Sequence, residues 1–213
     1  FKYIYLINVV LGFIFFLGFY AIIDDAILIL FSRNKDLIMS KEIVIVITVN
    51  YFIQFMRQSV LNFRDASGTF YNDRYKPLIE GIVNLTLSLI FVYIWGVAGV
   101  LIATILTNIL ITHIIEPYVL YKYAFKESPR TYYIKNYIII ILFIAATYAF
   151  NSIPIRTFDN LFISFLIKGF ISVAISLSFL FFIYVINKDF RKRTNYLIKT
   201  FFKMIKGLIK KNI

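Results

Sequence analysis

Six stretches of this sequence, about 3–23, 43–63, 78–95, 97–115, 133–153 and 161–186, are each close to twenty residues long and almost wholly apolar. A helix needs about 20 such residues to cross roughly 30 Å of hydrocarbon. Backbone polar groups cannot stay unpaired in lipid. These runs are too long, and alternate too little, to be barrel strands, so each is expected to be a transmembrane helix. The rest of the chain agrees. Of its 213 residues 61% are hydrophobic and only 16% are charged, with a mean hydropathy of +0.81. A soluble fold of this length has too small an interior to hide that excess.

The first run is not read as a secretion signal, because it lacks a basic leader and a small-residue cleavage site and exceeds the roughly 7–15 apolar residues of such signals. Lys and Arg set the expected orientation. The segments 64–77, 116–136 and 187–213 carry 3, 4 and 9 of them, against 3 and 1 in 24–42 and 154–160. Both ends are therefore expected on the cytoplasmic side. The net charge of +12 sits between and after the apolar runs, which points to an anionic membrane surface and away from nucleic acid. The chain has no cysteine, so thiolate metal sites, disulfides and cysteine nucleophiles are excluded. It begins at Phe1, as a fragment or processed chain would.

The segment 187–213 has a pattern of its own. Lys199, Lys203, Lys206 and Lys210 recur at helical spacing, opposite an apolar face of Leu197, Phe201, Ile205, Leu208 and Ile209. A basic amphipathic helix of this kind lies on an anionic leaflet, as an anchor or as a partner-binding surface.

One dense polar island, RDASGTFYNDRYKPLIEG at 64–81, interrupts the apolar pattern. Gly68 permits a turn, and Pro77 suits the first turn of the third helix. Glu80 falls where the helix dipole favours an acid. Arg64, Arg74 and Lys76 supply cytoplasmic charge. Beyond Glu80, Asn84 and Ser88 continue at i, i+4, i+8, a polar stripe that either bonds a neighbouring helix or lines a polar path. Ionisable residues inside membrane helices are costly unless they face a cavity or a partner. Arg57 and Lys168 are such residues, each free to line a cavity or to snorkel outward. Asp24 and Asp25 are expected at a solvated helix edge. Gly96, Gly99 and Ala103 offer small surfaces for close helix packing. His113, the sole histidine, is a hydrogen-bonding residue or part of a path; alone it builds no zinc site. No phosphate-binding glycine loop or catalytic constellation occurs, so no enzyme, metal or cofactor is expected.

The run FRDASGTFYNDRYKPLIEGIVNLTLSLIFVYIWGVAGVLIATILTNI, followed by EPYVLYKYAF, resembles the Wzx-type polysaccharide flippases of the multidrug/oligosaccharidyl-lipid/polysaccharide exporter superfamily. The resemblance is densest over residues 50–126. Its matching positions are Arg64, Gly68, Asp73, Arg74, Pro77, Glu80, Asn84, Ser88, Gly96, Gly99, Thr104, Glu116 and Pro117. The sequence departs from the pattern at FSRN, where Trp-x-Gly is frequent, and at Ala103-Thr104, where Gly-Thr is usual. The resemblance implies an all-α polytopic membrane protein. Its six helices would form part of a MATE-like C-terminal lobe plus two extra helices, with the N-terminal lobe of the same protein missing. It further implies movement of a polyprenyl-diphosphate-linked oligosaccharide across the bacterial cytoplasmic membrane by alternating access. Cations fit a diphosphate electrostatically, which makes Arg57, Arg74 and Lys168 the expected headgroup attractors. Two competing expectations are another exporter of that superfamily, for drugs or peptidoglycan precursors, and a membrane polymerase or acyltransferase. The second sits poorly with short external connectors that contain no histidine. A third is a non-transporting membrane subunit.

Overall fold

The computed structural model of the chain describes residues 1–31, 34–154 and 160–211, with side chains described through residue 204. Every regular element among them is helical. The elements are α1 (Lys2–Leu30), α2 (Lys41–Ala66), α3 (Lys76–Trp95), α4 (Val97–Thr107), α5 (His113–Val119), α6 (Arg130–Asn151), α7 (Leu161–Ile186) and α8 (Lys188–Lys211). Wider π turns at Asn108–Thr112 and Leu120–Phe125 make α4 and α5 one rod running from Val97 to Phe125. That rod and α1, α2, α3, α6 and α7 are long and apolar enough to cross a membrane. The architecture is all-α and multi-pass.

Local chemistry sets the helix ends. Asn160 caps α7, its side chain accepting from the amides of Phe162 and Ile163 at 3.0 and 3.4 Å. Gly96 joins α3 to α4 at φ 60°, ψ −140°, a backbone conformation open chiefly to glycine. Gly68, at φ 69°, turns the chain out of α2.

The bundle is built around α1. Phe13 of α1 meets Phe52 of α2 and Phe143 of α6 edge-on, at 5.6 and 5.4 Å between ring centroids. Phe52 and Phe143 stack face to face at 3.8 Å. These three fully buried rings lock the three helices together. On its other side α1 packs antiparallel against α7. Ser176 donates to the carbonyl of Phe13, and Ser164 to the carboxylate of Asp25. Gly18 lies between these points, close to Ser172. Small residues here let two backbones approach, the usual device where lipid supplies no hydrophobic drive. The outer faces carry large apolar side chains, such as Phe170 at 74% and Tyr93 at 94% exposure. Water would not tolerate such a surface, whereas lipid would.

The third helix is packed differently. It lies chiefly on the α4 rod, where the backbone and Cβ of Phe91 fill the space a side chain at Gly99 would need. Its only fully buried residue is Lys76, at the start.

Two helices run past their expected ends. α1 continues to Leu30, so Asp24 and Asp25 lie within it, and Asp25 is buried and paired, not at a solvated edge. The carboxylate accepts from Lys168 and Ser164, both at 2.7 Å, which removes the reason for α1 to stop. The rod containing α4 does not end at residue 115. It passes through Glu116 and Pro117 to Phe125. The FSRN departure includes Ser32 and Arg33, and much of the 154–160 connector is residues 155–159; both lie outside the described residues.

Candidate functional site

Glu116 is the centre of the densest polar cluster. It lies on α5 inside an otherwise apolar rod, with its side chain wholly buried. Arg57 of α2 grips it with a two-pronged bond, Nε to Oε2 at 2.7 Å and Nη2 to Oε1 at 2.6 Å. Lys76 Nζ donates to Oε1 at 2.7 Å, and Arg64 Nη1 reaches the same oxygen at 3.3 Å. Arg64 also donates to Asp73 at 2.7 Å, and Lys76 pairs with Glu80 one turn along α3. Three cations thus meet three carboxylates, with exposed Asp65 against Arg64 at the edge.

The local fold brings these residues together. Arg57 and Arg64 are seven positions apart on α2 and so share a face. Thr69 and Ser67 donate their hydroxyls to the carbonyl of Arg64, closing the end of the helix. A single 3₁₀ stretch, Thr69–Asp73, then carries Asp73 back under Arg64. Pro77 sits in the first turn of α3, where a missing amide hydrogen costs nothing, and Lys76 beside it points into the cluster. The polar island at 64–81 is therefore the part of the chain that folds over Glu116.

Arg57 was expected either to line a cavity or to snorkel outward. Its guanidinium is paired with Glu116, and 22% of its side chain is exposed. Lys168 is likewise committed, to Asp25, at the opposite end of the bundle. The two cations are not neighbours. Arg74 differs from both. It is exposed, donates to the Tyr71 hydroxyl at 2.6 Å, and lies over the rings of Tyr71 and Tyr75. Among the described residues it has no carboxylate partner.

The polar stripe leads away from the cluster along α3. Ser88 donates to Asn84 at 3.0 Å, and both are half-buried. Together with Pro77, Glu80, Gly81 and Leu85 they line an open groove. Thr104 faces its own helix, donating to the Val100 carbonyl. His113 is buried, with Nδ1 donating to the carbonyl of Asn108 at 3.1 Å inside the π turn. Its Nε2 has no partner among the described residues. Asn108 in turn donates to Asn50 of α2. Lys199 and Lys203 are exposed on α8, whereas the side chains of Lys206 and Lys210 lie outside the described residues, as do those of Ile205, Leu208 and Ile209.

Sequence reasoning assigned Glu116 only as a motif position in a connector, and it passed over Asn50 and Asn108. The available signal was an acid followed by ten residues, PYVLYKYAFK, with apolar spacing compatible with more helix. The proline disguised it. Proline inside a helix removes one backbone bond and is read as an end. Here π turns flank Pro117 on both sides and the rod continues.

The cluster contains neither a nucleophile nor a hydrogen-bonded base beside one. It can hold three helices in register, and it can exchange partners if a helix moves. No family model, curated protein or solved structure matches the chain.

Proposed function

We propose that this chain is the C-terminal part of a flippase that carries a polyprenyl-diphosphate-linked oligosaccharide across the bacterial cytoplasmic membrane, with both ends of the chain in the cytoplasm. α1 to α5 would belong to a MATE-like lobe, and α6 and α7 would be the two extra helices. The observation that carries the reading is α3. It is apolar enough to cross a membrane, yet it has a half-open polar groove at Glu80, Asn84 and Ser88 and almost no burial. A polar groove does not face hydrocarbon cheaply, so it requires a protein partner or an aqueous path. A second lobe across a water-filled cavity would supply both. A sugar diphosphate could then cross in the cavity while its lipid tail stayed in the bilayer. The protein would make and break no covalent bond.

Arg57 and Lys168 serve this reading poorly as free headgroup attractors, because each already neutralises a buried carboxylate. Arg74 is the better-placed cation. The resemblance over residues 50–126 supplies the substrate class.

The test is the leaflet distribution of lipid-linked oligosaccharide in a bacterium lacking the full-length gene. Accumulation on the cytoplasmic leaflet, with loss of surface polysaccharide, is expected. Restoring the gene with Asn84→Leu and Ser88→Ala should reduce export at unchanged protein level. Normal translocation in a strain without a redundant flippase would reject the reading in favour of a different exported cargo.

A further inference from the structure

A cavity of about 420 Å³ opens between α1, α6 and α7 and is capped by the start of α8. That is within the roughly 300–1,000 Å³ typical of small-molecule sites. Its two ends differ in chemistry. The inner part is a slot between Ile138, Ile139 and Leu142 of α6 and Phe182, Ile183 and Ile186 of α7. The mouth carries Lys2, Lys135 and Arg193 with Asp189 and Glu127.

The mouth lies at the ends of membrane-length helices, the level at which lipid headgroups would meet them. Lys2 begins α1, Lys135 is in the second turn of α6, and Arg193 is in the second turn of α8, just past the end of α7. From Thr131 to Leu142 the wall of α6 runs inward by about 16 Å at 1.5 Å per residue. The mouth has three cations and two acids, a surplus of one positive charge. Asp189 is already bound to Lys135 at 2.8 Å, and Lys2 and Arg193 have no carboxylate partner among the described residues. Tyr132 forms part of the wall, and its buried hydroxyl has no hydrogen-bond partner among the described residues.

We propose that this cavity is a site for one anionic phospholipid, its phosphodiester at Lys2 and Arg193 and one acyl chain in the slot between α6 and α7. One phosphodiester carries the single negative charge that the mouth lacks. The slot lies between α6 and α7, which are consecutive in sequence yet pack far less closely on each other than α1 does on α7. A soluble anion would leave the apolar slot empty, and a neutral lipid would leave the surplus charge unmatched. The proposal depends on the multi-pass architecture alone, so it stands or falls separately from the transport reading.

The experiment is native mass spectrometry of the purified, delipidated full chain given equal amounts of dioleoyl phosphatidylglycerol and dioleoyl phosphatidylcholine. The wild type should retain one phosphatidylglycerol preferentially, by roughly thirtyfold, as expected for the two unpaired cations Lys2 and Arg193 at about 1 kcal/mol each near an anionic lipid. Lys2→Gln with Arg193→Gln should bring retention down to the phosphatidylcholine level. Ile138→Trp, which fills the slot, should lower retention of both lipids. Lys199→Gln with Lys203→Gln should change nothing. Equal retention of the two lipids by the wild type overturns the proposal and needs no variant. A preference that survives Lys2→Gln/Arg193→Gln, or disappears with Lys199→Gln/Lys203→Gln, overturns it too, the latter because the binding would then belong to the tail surface.

Discussion

Glu116→Gln is the substitution with the sharpest expected effect. The carboxylate accepts three short bonds from cations, two from Arg57 and one from Lys76. Glutamine keeps one oxygen and replaces the other with an amide NH2, which faces cationic donors. With the amide nitrogen in the Oε2 position the charge-assisted bond from Arg57 Nε is lost, about 1.5–3 kcal/mol, and the bonds to the remaining oxygen lose the charge of their acceptor. The sum approaches the roughly 3–5 kcal/mol cost of removing one partner of a buried ion pair. Reversible unfolding in mixed micelles, followed by circular dichroism and by the fluorescence of Trp95, the sole tryptophan, measures the loss. Arg57→Gln together with Glu116→Gln leaves Arg64–Asp73 and Lys76–Glu80 as balanced pairs. The double variant should therefore be more stable than the sum of the singles requires, with a coupling of about 1–3 kcal/mol. A Glu116→Gln protein within about 0.5 kcal/mol of the wild type, or strictly additive costs, would refute the hub.

Three further outcomes follow from other parts of the molecule. Asp25→Asn should cost about 3 kcal/mol in the same unfolding assay, because Lys168 is left charged on α7, and Lys168→Met in the same chain should recover part of the loss. Gly96→Ala should cost about 1–3 kcal/mol through backbone strain at φ 60°, ψ −140°, seen as a lower unfolding midpoint. Asp189 titrates below the ordinary aspartate range because Lys135 donates a hydrogen bond to it and its positive charge lies close by. A depressed carboxyl contributes stability above its unfolded pKa and loses it as pH falls through the folded one. Docking of α8 should therefore weaken on acidification below that range, measured as faster proteolysis of the tail, and Asp189→Asn should abolish the pH dependence.

The membrane helices were legible because their apolar length is a local property. What escaped was whatever depends on distant partners. Asp24 and Asp25 end a hydropathy run, so α1 was expected to stop there. The helix continues because Asp25 meets Lys168 and Ser164, contributed by α7. Glu116 and Pro117 read as an exit into a connector for the same reason. Nothing near them in sequence reveals that Arg57, Arg64 and Lys76 converge on Glu116. The stripe at Glu80, Asn84 and Ser88 was legible as a stripe, since helical spacing is local. Which neighbour it faces depends on the packing of α3, and periodicity does not encode that.

The pairing of α1 with α7 also has a consequence in time. Asp25 and Lys168 are 143 residues apart, so the acid enters the membrane long before its cation exists. At synthesis rates of about 5–20 residues per second, that gap is roughly 7–30 s. During this interval α1 carries an unneutralised carboxyl and an uncovered seam of small residues. A ribosome stalled before α7 would leave both on display. α1 is thus a built-in marker of chains in which α7 has not yet been made, readable by any membrane chaperone or protease that recognises a polar group in lipid, and α7 is the helix that erases it.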